Sequence, residues 1–293
     1  MTTGLLVMLF NNTIIQNYVT LIKRFQKQRP FFIFSWLRRK YFIYYSAISI
    51  PLIAERLTAD KISKKLGFRN STLLFHATID NTPFPIFKVN RSNFIASIQP
   101  DSRQEIILRA QKAMRREVSL LGSKNVKLEH PINWALDFKS GIAWPMKPSP
   151  LIDIMDLNQN SDIKVPWELS RLQWLLPTGQ AYIIEKKEEY ALQARVIIED
   201  WINGNLICLG PNWHCPMDVA LRAISICWLF NAFYESNSWN DQIFYDKLIV
   251  QLYLHAIFIL KNLEWSDVNG NHLVTNLTGL IIISILLGNR GEA

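Results

Sequence analysis

From Pro166 to Leu287 the chain is a succession of long apolar blocks with helical period, and no strand pattern intervenes. The blocks are "WELSRLQWLLPTGQAYII", "KEEYALQARVIIEDWING", "PMDVALRAISICWLFNAFYES", "NDQIFYDKLIVQLYLHAIFILKNLEW" and "NHLVTNLTGLIIISILL". In the second, Ala194, Ile197, Ile198 and Trp201 fall on one helical face and Gly204 marks the end. Several of the others are apolar almost all round, so they must be covered by other helices rather than face water. The implied fold is mainly all-α, with inner helices covered by outer ones. The chain is 49% hydrophobic and holds 10 Trp and 16 Phe, enough for the core such layers need. No repeat of fixed period is present, which disfavours a consensus solenoid.

Upstream of these blocks the character changes twice. Residues 1–67 read as a basic N-terminal helical arm, with "ERLTADKISKKLGF" as a helix stopped by Gly67. Residues 68–129 read as a lead-in. Within it, 70–100 carries β-branched and aromatic residues broken by Pro83 and Pro85, predicting short extended or irregular segments. A helix is predicted over 102–121, with Gly122 as its stop. Residues 130–293 form the main helical unit, entered through a proline-rich irregular stretch that a compact protein usually keeps for function or surface cover.

The net charge of +8 is not spread evenly. Residues 1–65 hold 11 Lys/Arg against 2 Asp/Glu, and the remainder holds 21 against 22. The basic excess therefore belongs to the arm, which is suited to contact an anionic membrane surface, and nucleic acid is not expected as a partner. The apolar runs 41–54 and 277–287 fall short of the ~20 residues that span a bilayer. "GLLVMLF" has no basic residue before it and no small-residue cleavage site after it, so it makes a poor signal peptide. Cys208, Cys215 and Cys227 show neither a C-x-x-C pair nor a ligand-like spacing with histidine. They are expected to be buried thiols, with no metal and no cofactor.

Three stretches concentrate chemistry-bearing side chains. In "DIKVPWELSRLQW", Glu168 and Arg171 form an i,i+3 pair and Trp174 shares the face of Arg171. They are either a solvated surface pair or a lining for an anionic sugar, with Arg for bidentate capture and Trp for stacking. In "NWHCPMDVALRA", Trp213 and His214 precede Pro216 at a helix start, and Asp218 and Arg222 stand at i,i+4. In "VNGNHLVTNLTGL", Asn271 and His272 follow Gly270 at the head of an apolar run. There His272, Thr275, Asn276 and Gly279 make a small polar stripe expected to face solvent or a wet cleft, while Leu273, Leu277, Leu280 and Ile281 are core candidates.

Taken in order, "WALDFKSGIAWPMKPSPLIDI", "SDIKVPWELSRLQWLLPTGQAY", "VIIEDWI", "NWHCPMDVALRAISICWLF", "LHAIFILKNLEW" and "GNHLVTNLTGL" resemble the N-terminal helical domain of the heparinase II/III-like polysaccharide lyases. This group includes alginate-lyase relatives. The resemblance spans roughly residues 130–290. It implies an incomplete (α/α) toroid, followed in the family by a C-terminal β-sandwich, with the active site between them. It also implies β-elimination on a uronic acid: a base removes the C5 proton while a donor such as Asn holds the carboxylate as charge builds. By the resemblance, Asn271 and His272 match the catalytic Asn–His pair, and Glu168, Arg171, Trp174, Trp213, His214 and Arg222 are substrate-binding candidates.

The family's catalytic Tyr and a second catalytic His lie further downstream, and no match to them or to the β-sandwich is found before Ala293. The 293 residues are accordingly expected to lack lyase activity by themselves and to offer apolar faces to a missing C-terminal portion or another envelope protein. The expected partner is an acidic polysaccharide, heparin-like or alginate-like. The expected location is periplasmic or cell-envelope, with cytoplasmic as the alternative. Two competing readings remain: a non-catalytic acidic-glycan-binding or assembly module built on Arg171, Trp174 and Trp213, and a toroid hydrolase, which would need two facing carboxylates such as Glu168 and Asp218.

Overall fold

The computed structural model describes residues 30–80, 95–156, 160–265 and 270–288. Ten helices carry the described fold: α1 (Pro30–Ala54), α2 (Ala59–Lys65), α3 (Ser71–Asp80), α4 (Pro100–Met114), α5 (Lys164–Ser170), α6 (Leu176–Glu185), α7 (Glu188–Gly204), α8 (Pro216–Phe233), α9 (Gln242–Lys261) and α10 (Asn271–Gly288). Four two-residue strands, β1 (Glu117–Val118), β2 (Val126–Lys127), β3 (Leu136–Asp137) and β4 (Ile142–Ala143), make two antiparallel hairpins.

The layered arrangement expected from the apolar blocks is present. The inner helix is α8, which buries nearly its whole surface and packs against α6, α9 and α10. Helix α7 turns Tyr190, Ala191, Ala194, Ile197, Ile198 and Trp201 inward, as its period requires. Helix α9 is long and apolar enough by composition to cross a membrane, but half of it is buried inside the fold, under α1, α2 and α3. Its start is fixed by Asp241, whose carboxylate accepts from Phe244 N at 2.8 Å.

Four local expectations are corrected. Residues 71–80 form helix α3 rather than extended segments: Leu74 and Phe75 enter the main core and Phe75 packs on Tyr245 of α9, so tertiary burial overrides their strand preference. Residues 81–94 of that stretch lie outside the described residues, and 95–97 form a helical turn rather than an extended segment. The helix read over 102–121 ends at Met114. Gly122, at φ +71°, serves the β1–β2 turn instead of a helix stop. The block "WELSRLQWLLPTGQAYII" is two helices, because Leu172 adopts φ 59° and a short 3₁₀ turn (Gln173–Leu175) precedes α6. On α10, Leu273 is buried as expected, but Leu277 and Ile281 are exposed, Ile281 at 58%. The inward face instead carries Asn276 and Gly279.

The reason is a close approach of α10 to α8. A β-carbon added at Gly279 would meet the Ala220 β-carbon at 2.8 Å and the Ala220 α-carbon at 3.1 Å. Only a glycine lets the two helices sit at this distance, and bulkier residues are turned outward. Gly279→Ala is predicted to destabilise the fold by about 1–3 kcal/mol in urea unfolding, as overpacked helix contacts do. Thr278→Ala, on the exposed side of the same turn, is predicted to stay within about 0.5 kcal/mol.

Candidate active site

A cavity of about 370 Å³ opens beside the start of α10. Its wall includes Tyr44 of α1, Trp167 of α5, Trp213 and His214 ahead of α8, Glu264 after α9 and His272 of α10. The proline-rich stretch 123–165 reaches it through the 3₁₀ turn Ser149–Leu151. That stretch is tied down at Asp137, whose carboxylate accepts from Lys139 N, Ser140 and Asp162 N. Burial pushes the Asp137 carboxyl up, but the combined hydrogen bonds outweigh it and hold the carboxyl below its usual range.

His272 sits on the first turn of α10 with its side chain 47% exposed, and Nδ1 lies 2.9 Å from Glu264 Oε1. A carboxylate only accepts, so Nδ1 carries the proton and Nε2 is the basic nitrogen. Glu264 is positioned in turn: Oε2 accepts from Met217 N at 3.1 Å and from Asn276 Nδ2 at 3.2 Å, and Glu264 N donates to Asn276 Oδ1 at 3.0 Å. The Glu264 carboxylate thereby meets the exposed N–H groups at the head of α8, where Cys215 supplies no side-chain cap. Asn271 is exposed at the first position of α10, next to His272 in the chain, and does not line the cavity. His214 stacks on Trp167, with centroids 6.1 Å apart and planes at 21°. His214 Nδ1 lies 2.9 Å from the Ser149 carbonyl, so Nδ1 again donates.

The remaining sequence candidates divide between surface and core. Arg171 donates to Asp218 Oδ1 at 2.6 Å and also pairs with Glu168, so neither Glu168 nor Arg171 lines the cavity. Trp174 donates to the Leu169 carbonyl and packs against the core, away from the cavity, so it offers no platform there. Trp213 contributes to the wall but is only 1% exposed, wedged among Trp201, His255 and Phe258. The Asp218–Arg222 pair read from i,i+4 spacing is replaced: Asp218 turns to Arg171, and Arg222 points into the core.

Arg222 is fully buried. Its Nε donates to His255 Nε2 at 2.9 Å, Nη1 to Ser170 Oγ at 3.2 Å and Nη2 to the Asn212 carbonyl at 3.2 Å. The guanidinium lies 4.2 Å from the Trp201 ring centroid and 5.1 Å from that of Trp213. Burial lowers the Arg222 pKa to about 9 against the opposing pull of Asp218, leaving it charged at neutral pH. Burial, and then the Arg222 charge, hold the His255 pKa well below the ordinary value, so His255 is neutral and donates through Nδ1 to the Gln251 carbonyl at 2.7 Å.

The sequence reading missed Glu264, Trp167 and Tyr44 as wall residues. Glu264 stands at the end of "LHAIFILKNLEW", a stretch read for its resemblance but not for a site residue, and Trp167 stood one position from the charged residue that drew attention.

Residues 95–290, from before α4 to the end of α10, match the family model described as heparinase II/III N-terminus. The chain belongs to this family. Over 153 residues it is 26% identical to a heparin-sulfate lyase of Bacteroides stercoris, a match covering 45% of this chain and 22% of that protein. The matched part thus spans about a fifth of that relative's length. The fold is similar to the crystal structure of a heparan sulfate lyase from Pedobacter heparinus, with a TM-score of 0.50 and 19% identity over 74% of this chain and 31% of that one. The mainly helical fold and the family expected from the sequence motifs therefore both hold. The match also begins upstream of residue 130, taking in α4 and both hairpins.

Because the folded state keeps His255 neutral while the unfolded chain protonates near the ordinary imidazole value of 6.5, unfolding takes up a proton below that pH. Stability is therefore predicted to fall as pH drops below about 6.5, by roughly 1.4 kcal/mol per pH unit from this group. Urea unfolding at stepped pH should show that slope in the native chain, and His255→Gln should remove it.

Proposed function

We propose that this chain is the N-terminal toroid portion of a polysaccharide lyase, and that the cavity beside α10 receives a uronate unit of an acidic glycan. The observation that carries this reading is the meeting of His272, His214 and Trp167 in one cavity wall, within the segment matched by the family. Asn271 precedes His272 at the exposed N-terminus of α10, where backbone N–H groups and the helix dipole also favour a carboxylate. Elimination needs negative charge to build on the uronate carboxylate as the C5 proton leaves, and an amide donor placed there stabilises that charge. His272, oriented through Nδ1 by Glu264, presents Nε2 as a proton acceptor. His214, oriented through Nδ1 by the Ser149 carbonyl, presents a second imidazole to the same cavity. Trp167 supports the His214 ring and gives the wall an apolar face on which a sugar can lie.

Heparin- or heparan-sulfate-like chains are the favoured glycan, in keeping with the relatives' activity, and alginate-like chains are the alternative. For residues 1–293 taken alone the proposal is binding without turnover, because the tyrosine and second histidine implied by the resemblance have no match among them. The purified chain is predicted to bind heparan sulfate oligosaccharides and to produce no unsaturated-uronate absorbance with heparin, heparan sulfate or alginate. Asn271→Ala is predicted to weaken binding about tenfold, the equivalent of one lost charge-assisted hydrogen bond at ~1.4 kcal/mol. Clear turnover by the native chain would overturn the inactive reading. Binding indifferent to both Asn271→Ala and His272→Ala would overturn the site.

A further inference from the structure

One cluster in the cavity wall adds Cys215 to the Glu264–His272 pair of the proposed glycan site. Cys215 Sγ, a Glu264 carboxylate oxygen and a His272 ring nitrogen all lie within 4.8 Å of one another. They come from three separate places: the N-cap of α8, the connector after α9 and the first turn of α10. We propose that these three side chains form a binding site for a soft divalent cation, Zn²⁺ in chemical class, with its fourth position open to the cavity. The site shares Glu264 and His272 with the proposed glycan wall and is an alternative state of it: with the cation bound, His272 Nε2 carries the proton and does not serve as base.

Three observations support it. The first is ligand chemistry: thiolate, imidazole and carboxylate are the donor types zinc selects, and a three-ligand set with one open position is the pattern of a reactive zinc site. A tetrahedral zinc with bonds of about 2.0–2.3 Å holds its donor atoms roughly 3.3–3.8 Å apart, so the widest separation in the cluster closes by up to about 1–1.5 Å while the 2.9 Å His272–Glu264 pair opens slightly. The exposed His272 ring has room to make that adjustment.

The second is charge. Cys215 is buried beside the carboxylates of Asp218 and Glu264, so the sulfur sits in a negative field. Asp218 Oδ2 is buried there without a hydrogen-bond partner. A divalent cation with one thiolate and one carboxylate gives a neutral centre, which suits the buried side of the wall. On binding, the Cys215 proton is released to solvent and the His272 proton moves from Nδ1 to Nε2, leaving Nδ1 free to ligate.

The third is preorganisation. Glu264 Oε2 is held by Met217 N and Asn276 Nδ2, which leaves Oε1 facing His272. Outer hydrogen bonds of this kind fix a ligating carboxylate in place.

The test is titration of the chelator-treated, reduced 293-residue chain with Co²⁺. The expected result is a thiolate-to-cobalt charge-transfer band and visible bands of four-coordinate intensity, saturating at one equivalent and abolished by Zn²⁺. Cys215→Ser should remove the charge-transfer band, Glu264→Gln and His272→Ala should each weaken binding tenfold or more, and Cys208→Ser should leave the spectrum unchanged. Circular dichroism of each variant establishes that it is folded. Absence of the band in the native chain, or its survival in Cys215→Ser, would overturn the site. Since glycan binding is measured separately, failure here leaves the lyase reading standing, and the reverse also holds.

Discussion

The fold is organised around a positive charge taken out of water. Arg222 lies wholly inside the helical layers, and a guanidinium there is tolerated only where polar partners and polarisable ring faces surround it. Those partners are Ser170 at the end of α5, the Asn212 carbonyl ahead of α8 and His255 on α9, with Trp201 of α7 and Trp213 supplying ring faces. One side chain thus fixes five segments relative to one another. Ser170 is shared with the Trp201 indole at 2.7 Å, and Asn212 Nδ2 reaches the Trp134 carbonyl and Asn205 Oδ1, both at 2.8 Å. The network carries the stretch before α5 into the same frame.

The cavity is a consequence of that frame. Fixing Asn212 and Trp213 sets where His214 emerges and where α8 begins. The head of α8 then needs an acceptor for Met217 N, and Glu264 supplies it from across the α9–α10 connector. Glu264 in turn sets the orientation of His272 and, through Asn276, the rotation of α10. Gly279 completes the arrangement by allowing α10 to lie against Ala220. Core electrostatics and the geometry of the wall are therefore linked through a short chain of named contacts.

Much of this was legible in the sequence, and the limits have physical causes. Helices α7 to α10 announce themselves because each is a long block of apolar residues with no strand pattern or proline inside it. The family was legible because several motifs occur in order. Spacing failed where a tertiary partner outcompeted a local one: Asp218 and Arg222 stand at i,i+4 but turn to Arg171 and His255. It failed again on α10, where close packing on Ala220 required a glycine and sent Leu277 and Ile281 outward. Arg222 and Trp213 looked like ligand-facing residues because Arg and Trp do recognise acidic sugars, but the same pair of side chains also builds buried cation–π networks. The cluster of Cys215, Glu264 and His272 left no trace in sequence spacing, because three different elements bring it together.

The proposed glycan surface is the wall of His272, His214 and Trp167 rather than the basic arm at residues 1–65. The chain has five histidines, and their ring resonances report on separate places: His214 and His272 in the wall, His255 in the core, His76 and His130 elsewhere. In a titration of the ¹⁵N-labelled chain with a heparan sulfate oligosaccharide of defined length, the account predicts saturable shifts of the His214 and His272 rings. It predicts that His76, His130 and His255 stay unmoved. Saturable binding that leaves His214 and His272 unshifted would contradict it.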